Sequence, residues 1–273
     1  MALPARRKKR VYLSSVIVFI LTLVLLLYIG LPVVALFLHS SLEGFVGAFS
    51  DPVVLDSLKL SLLTSVIATF IVVVLGTPVA YVSARFKYPG KELIDTITDL
   101  PVVMPPAVAG LALLITFGRL GLVGQYLHML GITLAFTTTA VIMAQAFVAS
   151  PFFIRQARVS FEDVDRSYEN AARILGASRL RTFFYITVPI ALNGLISGAI
   201  LTWARALGEF GATILFAGNL QGRTQTMPLA IYTAMEGSLD ESVYISVILV
   251  IISFVVIAAI KVLSRRKMIH DQD

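Results

Sequence analysis

Six uninterrupted apolar stretches, at roughly 12–38, 58–84, 100–118, 134–154, 189–216 and 243–263, constrain this chain more than any other feature. A run of about twenty apolar residues matches the hydrocarbon thickness of a bilayer. Lipid offers no hydrogen-bond partner to bare backbone, so each run must satisfy its own amides, as a helix does. The expectation is an all-α membrane protein with six transmembrane helices. Residues 1–273 read as a single transmembrane domain, because no remaining stretch is long and polar enough for a separate soluble unit. With 58% hydrophobic and 14% charged residues and a mean hydropathy of +0.89, an ordinary soluble domain is excluded. The basic start resembles that of a secretory signal. The apolar run behind it extends to about Leu38 and lacks a small-residue cleavage site, so it reads as a retained first span.

The net charge of +6 is informative through its placement. Five cations lie in Arg6–Arg10, three (Arg85, Lys87, Lys91) follow the second span, and four (Lys261, Arg265, Arg266, Lys267) close the chain. Six more (Arg155, Arg158, Arg166, Arg173, Arg179, Arg181) lie between spans four and five. Lys59, Arg119 and Arg223 fall on the other side, and Arg205 falls within a span. The positive-inside rule places both termini and the segment at about 160–187 in the cytoplasm of a multi-pass cell-membrane protein. The basic ends are suited to anionic headgroups of the lipid bilayer. No nucleic-acid partner is expected, since an interleaved aromatic-basic surface is lacking.

Within the segment 160–187, Glu169-Asn170-Ala171-Ala172-Arg173-Ile174-Leu175-Gly176 is followed by Ile186-Thr187-Val188-Pro189. Ala171 and Ala172 give a slim helical surface that another protein can approach closely. Gly176 stands where a helix ends in a left-handed cap, and Ser178 can start a second helix at once. Glu169 and Arg173 are spaced as an i,i+4 pair. The expected element is a helix–turn–helix knuckle, a docking element or, alternatively, an ordinary solvated loop helix.

The third span begins Asp99-Leu100-Pro101-Val102-Val103-Met104-Pro105-Pro106, and three prolines in six residues cannot make a continuous ladder. Pro105 and Pro106 either line a pathway or form a plain interfacial helix start. In the fifth span, Thr202, Arg205, Glu209 and Thr213 follow one another at steps of three, four and four, so a continuous helix puts them on one face. Arg205 and Glu209 either pair to stabilise the bundle, snorkel toward the external end, or line or gate a pathway. The third external loop, Gly218–Ser242, carries Gln221 to Thr226 as a polar face able to receive a soluble partner. Catalysis finds no footing. His39, His128 and His270 are scattered, there is no cysteine for a thiolate site, and no Gly-rich loop ending in Lys-Ser/Thr is present, so neither a metal nor a nucleotide is expected on this chain.

The knuckle resembles the coupling loop of ABC importer membrane subunits, whose pattern is E-A-A, three residues, G, nine residues, then I-x-L-P. Ala171, Ala172, Gly176, Ile186 and Pro189 match in register, while Asn170 stands in place of the pattern's Glu (with Glu169 one residue early) and Val188 in place of Leu. Ala206-Leu207-Gly208-Glu209-Phe210-Gly211-Ala212-Thr213 resembles the corresponding span of oxyanion permeases. Phe216-Ala217-Gly218-Asn219 and Thr224 to Tyr232 look like the molybdate/tungstate branch, and Asp99-Leu100-Pro101 with Pro105-Pro106 and Gly110 is similar to the same group. The resemblance covers about 55–260. It implies a type I ABC importer-like fold with a cytoplasmic coupling helix between spans four and five, with Glu169, Asn170, Ala171, Ala172 and Gly176 coupling to the ATPase. It further implies a homodimer with a second copy of itself, two cytoplasmic ABC ATPase subunits that bind ATP and Mg, and an external oxyanion-binding protein. The chain would then be a permease subunit, not itself an enzyme, translocating molybdate or tungstate by alternating access. The alternatives are a sulfate/thiosulfate permease and, from other classes, a proton-coupled secondary transporter, a channel or a scaffold.

Overall fold

The computed structural model describes the backbone of residues 5–270 and the side chains of 17–260. The basic clusters Arg6–Arg10 and Lys261–Lys267 therefore lie outside the described side chains. All regular structure among the described residues is helical. The long helices are α1 (Ala5–His39), α3 (Pro52–Arg85), α7 (Thr138–Glu162), α10 (Val188–Leu207) and α13 (Leu239–His270). Between them stand α2 (Leu42–Ser50), α4 (Lys91–Val103), α5 (Pro106–Phe117), α6 (Gly124–Met129), α8 (Arg166–Ile174), α9 (Arg179–Thr182), α11 (Gly211–Phe216) and α12 (Met227–Gly237). A π-helical turn, Phe183–Thr187, joins α9 to α10. Among the described residues, five helical stretches are long and apolar enough to cross a membrane. The pair α4–α5, bent by 115°, makes a sixth if it counts as one span. The chain is a multi-pass membrane protein.

Local sequence sets most element ends. Asp51 accepts the amide of Val53 at 2.7 Å and Pro52 opens α3, while the Thr137 side chain accepts from Ala140 to start α7. The proline-rich entry breaks between Val103 and Pro106, where Met104 and Pro105 are extended. Pro101 stays within α4, which begins back at Lys91, so this span is two helices at a sharp angle.

α7 is the central helix, with α3 and α10 packed along it. Apolar burial gains little in a medium as apolar as leucine, so the packing depends on close approach. Gly76 lies against Phe153, Gly198 against Gln156 and Phe153, and a side chain at Gly194 would collide with Ser160. Phe153, Ala157 and Phe161 of α7 are fully buried between Val72 and Ala80 of α3 and Ala191 and Leu195 of α10. A second cluster joins Ala109 and Leu113 of α5, Val141 and Ala144 of α7, and Ala212 and Phe216 of α11. α1 touches α13, and none of its residues between Ile17 and His39 is buried.

Three expectations need correction. The apolar run at 189–216 is two helices, α10 and α11, because Gly208 ends the first and Glu209 turns inward to cap the second. The segment 218–242 is largely helical, and Thr224, Gln225 and Thr226 are buried rather than presented outward. Met227 there donates its amide to Ser61 Oγ of α3 at 2.7 Å, which draws the start of α12 into the bundle. Glu169 pairs with Arg85 rather than with Arg173.

Candidate functional site

At one end of the bundle the chain between α7 and α10 folds into a knuckle. Asp165 accepts the Ser167 amide at 2.8 Å and caps α8. That hydrogen bond holds its carboxyl below the usual carboxylate range. α8 closes at Gly176, whose φ of +86° is left-handed. The Ala177 amide donates to Ala172 and the Gly176 amide to Arg173, a paired closure that only an αL residue at this position permits. Ser178 then caps α9 by accepting from Arg181.

The knuckle has two faces. Inward, the Glu169 carboxylate is 3.0 Å from Arg85 Nη2 with both side chains over 90% buried. Thr187 Oγ1 donates to the same carboxylate oxygen at 2.8 Å. Arg85 also donates to the Val164 carbonyl at 2.9 Å, and Arg166 reaches back to the Arg85 carbonyl. One buried ion pair thus ties the end of α3, the knuckle helix α8 and the π-turn that opens α10. Outward, Asn170, Ala171 and Gly176 are exposed, Ala172 is half-buried, and large apolar side chains project into solvent: Ile174 is 86% and Leu175 88% exposed, with Tyr168 and Leu180 beside them. Sequence reasoning missed Arg85 and Thr187, whose pairing with Glu169 has no local signal. It also missed Tyr168, Ile174, Leu175 and Leu180, which do have one: large apolar residues in an otherwise polar loop.

About 30 Å away, at the other end of the 20-residue α10, the break in the fifth span gathers the second set of residues. Arg205 Nη1 lies 2.6 Å from Glu209 Oε2, and Glu209 Oε1 accepts the Ala212 amide at 2.8 Å, so one buried carboxylate neutralises a cation and caps α11. A Cβ on Gly211 would meet Pro106 Cβ at 2.6 Å, and one on Gly110 would meet the Ala212 backbone. The two proline and glycine signals, Pro105-Pro106 and Gly208–Gly211, are therefore neighbours. Thr202 and Thr213 are fully buried within the protomer, and their hydroxyls, like both polar atoms of buried Gln145, have no partner among the described residues. Of the four stripe residues, only Arg205 keeps appreciable side-chain exposure, at 28%. The two sites are not brought together. A third feature had no sequence signal: Asp95 and Asp99 of α4 pair with Arg158 and Arg155 of α7 at 2.8 and 2.6 Å, strapping the first half of the broken span to the central helix.

Chemically, the knuckle offers an apolar docking face on a rigid mount, and the break offers one cation, balanced by one carboxylate, in a low-dielectric setting. Comparison with known proteins shows the family. Residues 73–270 match the family described as "Binding-protein-dependent transport system inner membrane component". The chain is 43% identical to the molybdenum transport system permease protein ModB of Escherichia coli K12, over 68% of this chain and 82% of that one. It is 40% identical to the molybdate/tungstate transport system permease protein WtpB of Pyrococcus abyssi, over 71% of this chain and 73% of that one. A crystal structure of a bacterial ABC transporter that imports alginate superimposes with a TM-score of 0.76 over 96% of this chain and 98% of that chain, at 15% identity, so the fold is shared. The chain belongs to the binding-protein-dependent transport system inner membrane component family, as a membrane-spanning permease subunit of an ABC importer.

Proposed function

We propose that the chain carries molybdate and tungstate across the cell membrane as one of two identical permease subunits, driven by two cytoplasmic ATPase subunits and fed by an external oxyanion-binding protein. The observation that carries the substrate is the likeness to molybdenum and molybdate/tungstate permeases over most of the chain. The knuckle end faces the cytoplasm, in keeping with the cations at 155–181, and both termini lie on that side. The ATPase receives Tyr168, Ile174, Leu175 and Leu180 in a groove. Asn170, Ala171 and Ala172 allow close approach, Gly176 fixes the bend, and Glu169 acts from behind as the anchor of the knuckle to α3 and α10. ATP and Mg reside on the ATPase. ATP-driven closure moves the paired knuckles, and the ion-paired mount transmits that motion to α3 and α10 together. Pro105, Pro106, Arg205, Glu209 and the buried hydroxyls of Thr202 and Thr213 form the gate region at the break, where two short helix starts meet.

Only one cation, offset by its own carboxylate, stands at the break, so a dianion is passed on rather than held. Discrimination therefore resides mainly in the binding protein. In proteoliposomes containing the complex and its binding protein, ATP should drive molybdate and tungstate uptake, with sulfate taken up poorly. Omission of the binding protein should reduce all three to background. Robust sulfate import with molybdate ignored refutes the substrate assignment, and oxyanion uptake by this chain without any ATPase refutes the class.

A further inference from the structure

The exposed residues of α10, Pro189, Ile190, Asn193, Ser197 and Leu201, fall on a single stripe, which Gly208 continues just past the helix end. Arg205, one turn beyond Leu201, is the partly exposed member at its outer end. The stripe is not the one that sequence spacing predicted, whose Thr202 and Thr213 are buried among the protomer's own helices. Asn193 lies six residues beyond Thr187, about 9 Å of helix in from the knuckle and about 21 Å from Leu207. Its side chain is too short to reach an interface, as a lysine or arginine does by snorkelling. Ser197 Oγ donates to the Asn193 carbonyl at 2.9 Å, which leaves its lone pairs and the Asn193 amide facing outward. An exposed amide within the span is unfavourable against hydrocarbon and stable against water.

Other outer surfaces of the bundle differ. The exposed residues of α3 between Leu63 and Pro78, among them Val66, Phe70, Val74 and Leu75, are wholly apolar. The adjoining flank of α10, with Ile196, Ile200 and Trp203, lines an apolar recess of about 570 Å³ against α3 and α13. Thus α10 has an apolar flank suited to hydrocarbon and, roughly one residue further round, a polar line that is not. That line leads to Arg205 and so to the break where Gly211 meets Pro106.

We propose that the Asn193–Ser197–Leu201–Arg205 line is the wall of a water-filled path and that the Asn193 amide is a direct hydrogen-bond donor to the passing tetrahedral oxyanion. The inference rests on the importer reading above for its ligand. A neutral amide contacts oxygen atoms without adding charge, so it orients the anion and releases it. Leu201 keeps the contact sparse between the amide and the guanidinium, and the anion exchanges waters for one donor at a time.

The chain contains no cysteine, so single substitutions report alone. Asn193→Cys, Ser197→Cys and Leu201→Cys, with Leu63→Cys and Phe70→Cys as controls, are made in the assembled complex in proteoliposomes. They are treated with a membrane-impermeant cationic methanethiosulfonate with and without ATP, and modification is read on this chain. The thiolate, which forms in water and not in hydrocarbon, attacks the reagent's sulfenyl sulfur, forming a mixed disulfide and expelling methanesulfinate. At least one nucleotide state should label all three stripe positions about tenfold faster or more than the controls, a contrast set by solvation of the thiolate. Millimolar molybdate should slow labelling at 193. Asn193→Leu should lower maximal uptake while leaving half-saturation by the loaded binding protein unchanged, and Asn193→Gln should restore it. Absence of labelling at every stripe position in both states overturns the inference, as does a spontaneous Asn193→Cys disulfide between two copies without labelling, which marks a contact between copies. Labelling of the stripe with protection by sulfate and not by molybdate keeps the path and overturns the substrate proposed above.

Discussion

The buried pair beneath the knuckle supports a quantitative prediction. Arg85 and Glu169 stand 3.0 Å apart and are over 90% buried. At an effective dielectric of about 20, Coulomb attraction at that distance is about 5 kcal/mol, largely offset by the cost of dehydrating both ions. Glu169→Gln removes one charge and leaves the other buried. The stranded guanidinium, whose Nε already lacks a partner, then costs about 3–5 kcal/mol. The double variant Arg85→Gln/Glu169→Gln removes both charges and retains polar partners for Thr187 and the Val164 carbonyl, so it should lie within about 1 kcal/mol of the parent chain. The penalty is local, because the pair joins α8 to α3 and the π-turn rather than holding the bundle together. Hydrogen exchange in α8 should therefore accelerate by roughly two to three and a half orders of magnitude in Glu169→Gln, since about 1.4 kcal/mol corresponds to a factor of ten. Molybdate imported per ATP hydrolysed by the reconstituted complex should fall in parallel, and both should return toward the parent values in the double variant. If the single variant retains parental exchange and coupling, or if the double variant is as impaired as the single, the pair is not the mount of the knuckle.

A Cβ added at Gly176 meets no atom within 4 Å, so the cost of Gly176→Leu is mainly the left-handed backbone, about 1–2 kcal/mol, and Gly176→Asn should be milder. Coupling ratios in the two variants check the order. Glu209→Ala strands Arg205 and also uncaps α11. Arg205→Ala/Glu209→Ala should therefore recover only part of the lost stability in thermal unfolding, and full recovery would show that the cap to Ala212 contributes nothing. Gly211→Ala should part α5 from α11 by driving its Cβ into Pro106, reducing uptake while the knuckle still binds the ATPase, as co-purification would show. The depressed carboxyl of Asp165 makes its cap fully present above the ordinary carboxylate range and lost only as pH falls through the lowered value. Exchange at the Ser167 amide, corrected for its intrinsic rate, should show that acid limb, and Asp165→Asn should remove it.

Features that depend on a few neighbouring residues were legible before any fold was known. The apolar runs locate the spans because lipid forces each segment to satisfy its own backbone. Gly176 and Ser178 mark the bend of the knuckle because a left-handed cap and an N-cap are local geometry. Three prolines near 101–106 mark a broken helix for the same reason, although not that it turns through 115°. What the tertiary structure alone decided is which side chains face which neighbour. Periodicity put Thr202, Arg205, Glu209 and Thr213 on one face, on the premise of an unbroken helix. A glycine in a membrane span is compatible with continuation, and only the packing of α11 against α5 and α7 selects the break that turns Glu209 inward. Glu169 has a plausible partner one turn away, yet it pairs with a residue 84 positions earlier, because α8 lies across the end of α3. The stripe Asn193–Ser197 likewise acquires meaning only once α7 covers the opposite side of α10. A sequence displays every face of a helix equally, and burial by other segments determines which face remains to act.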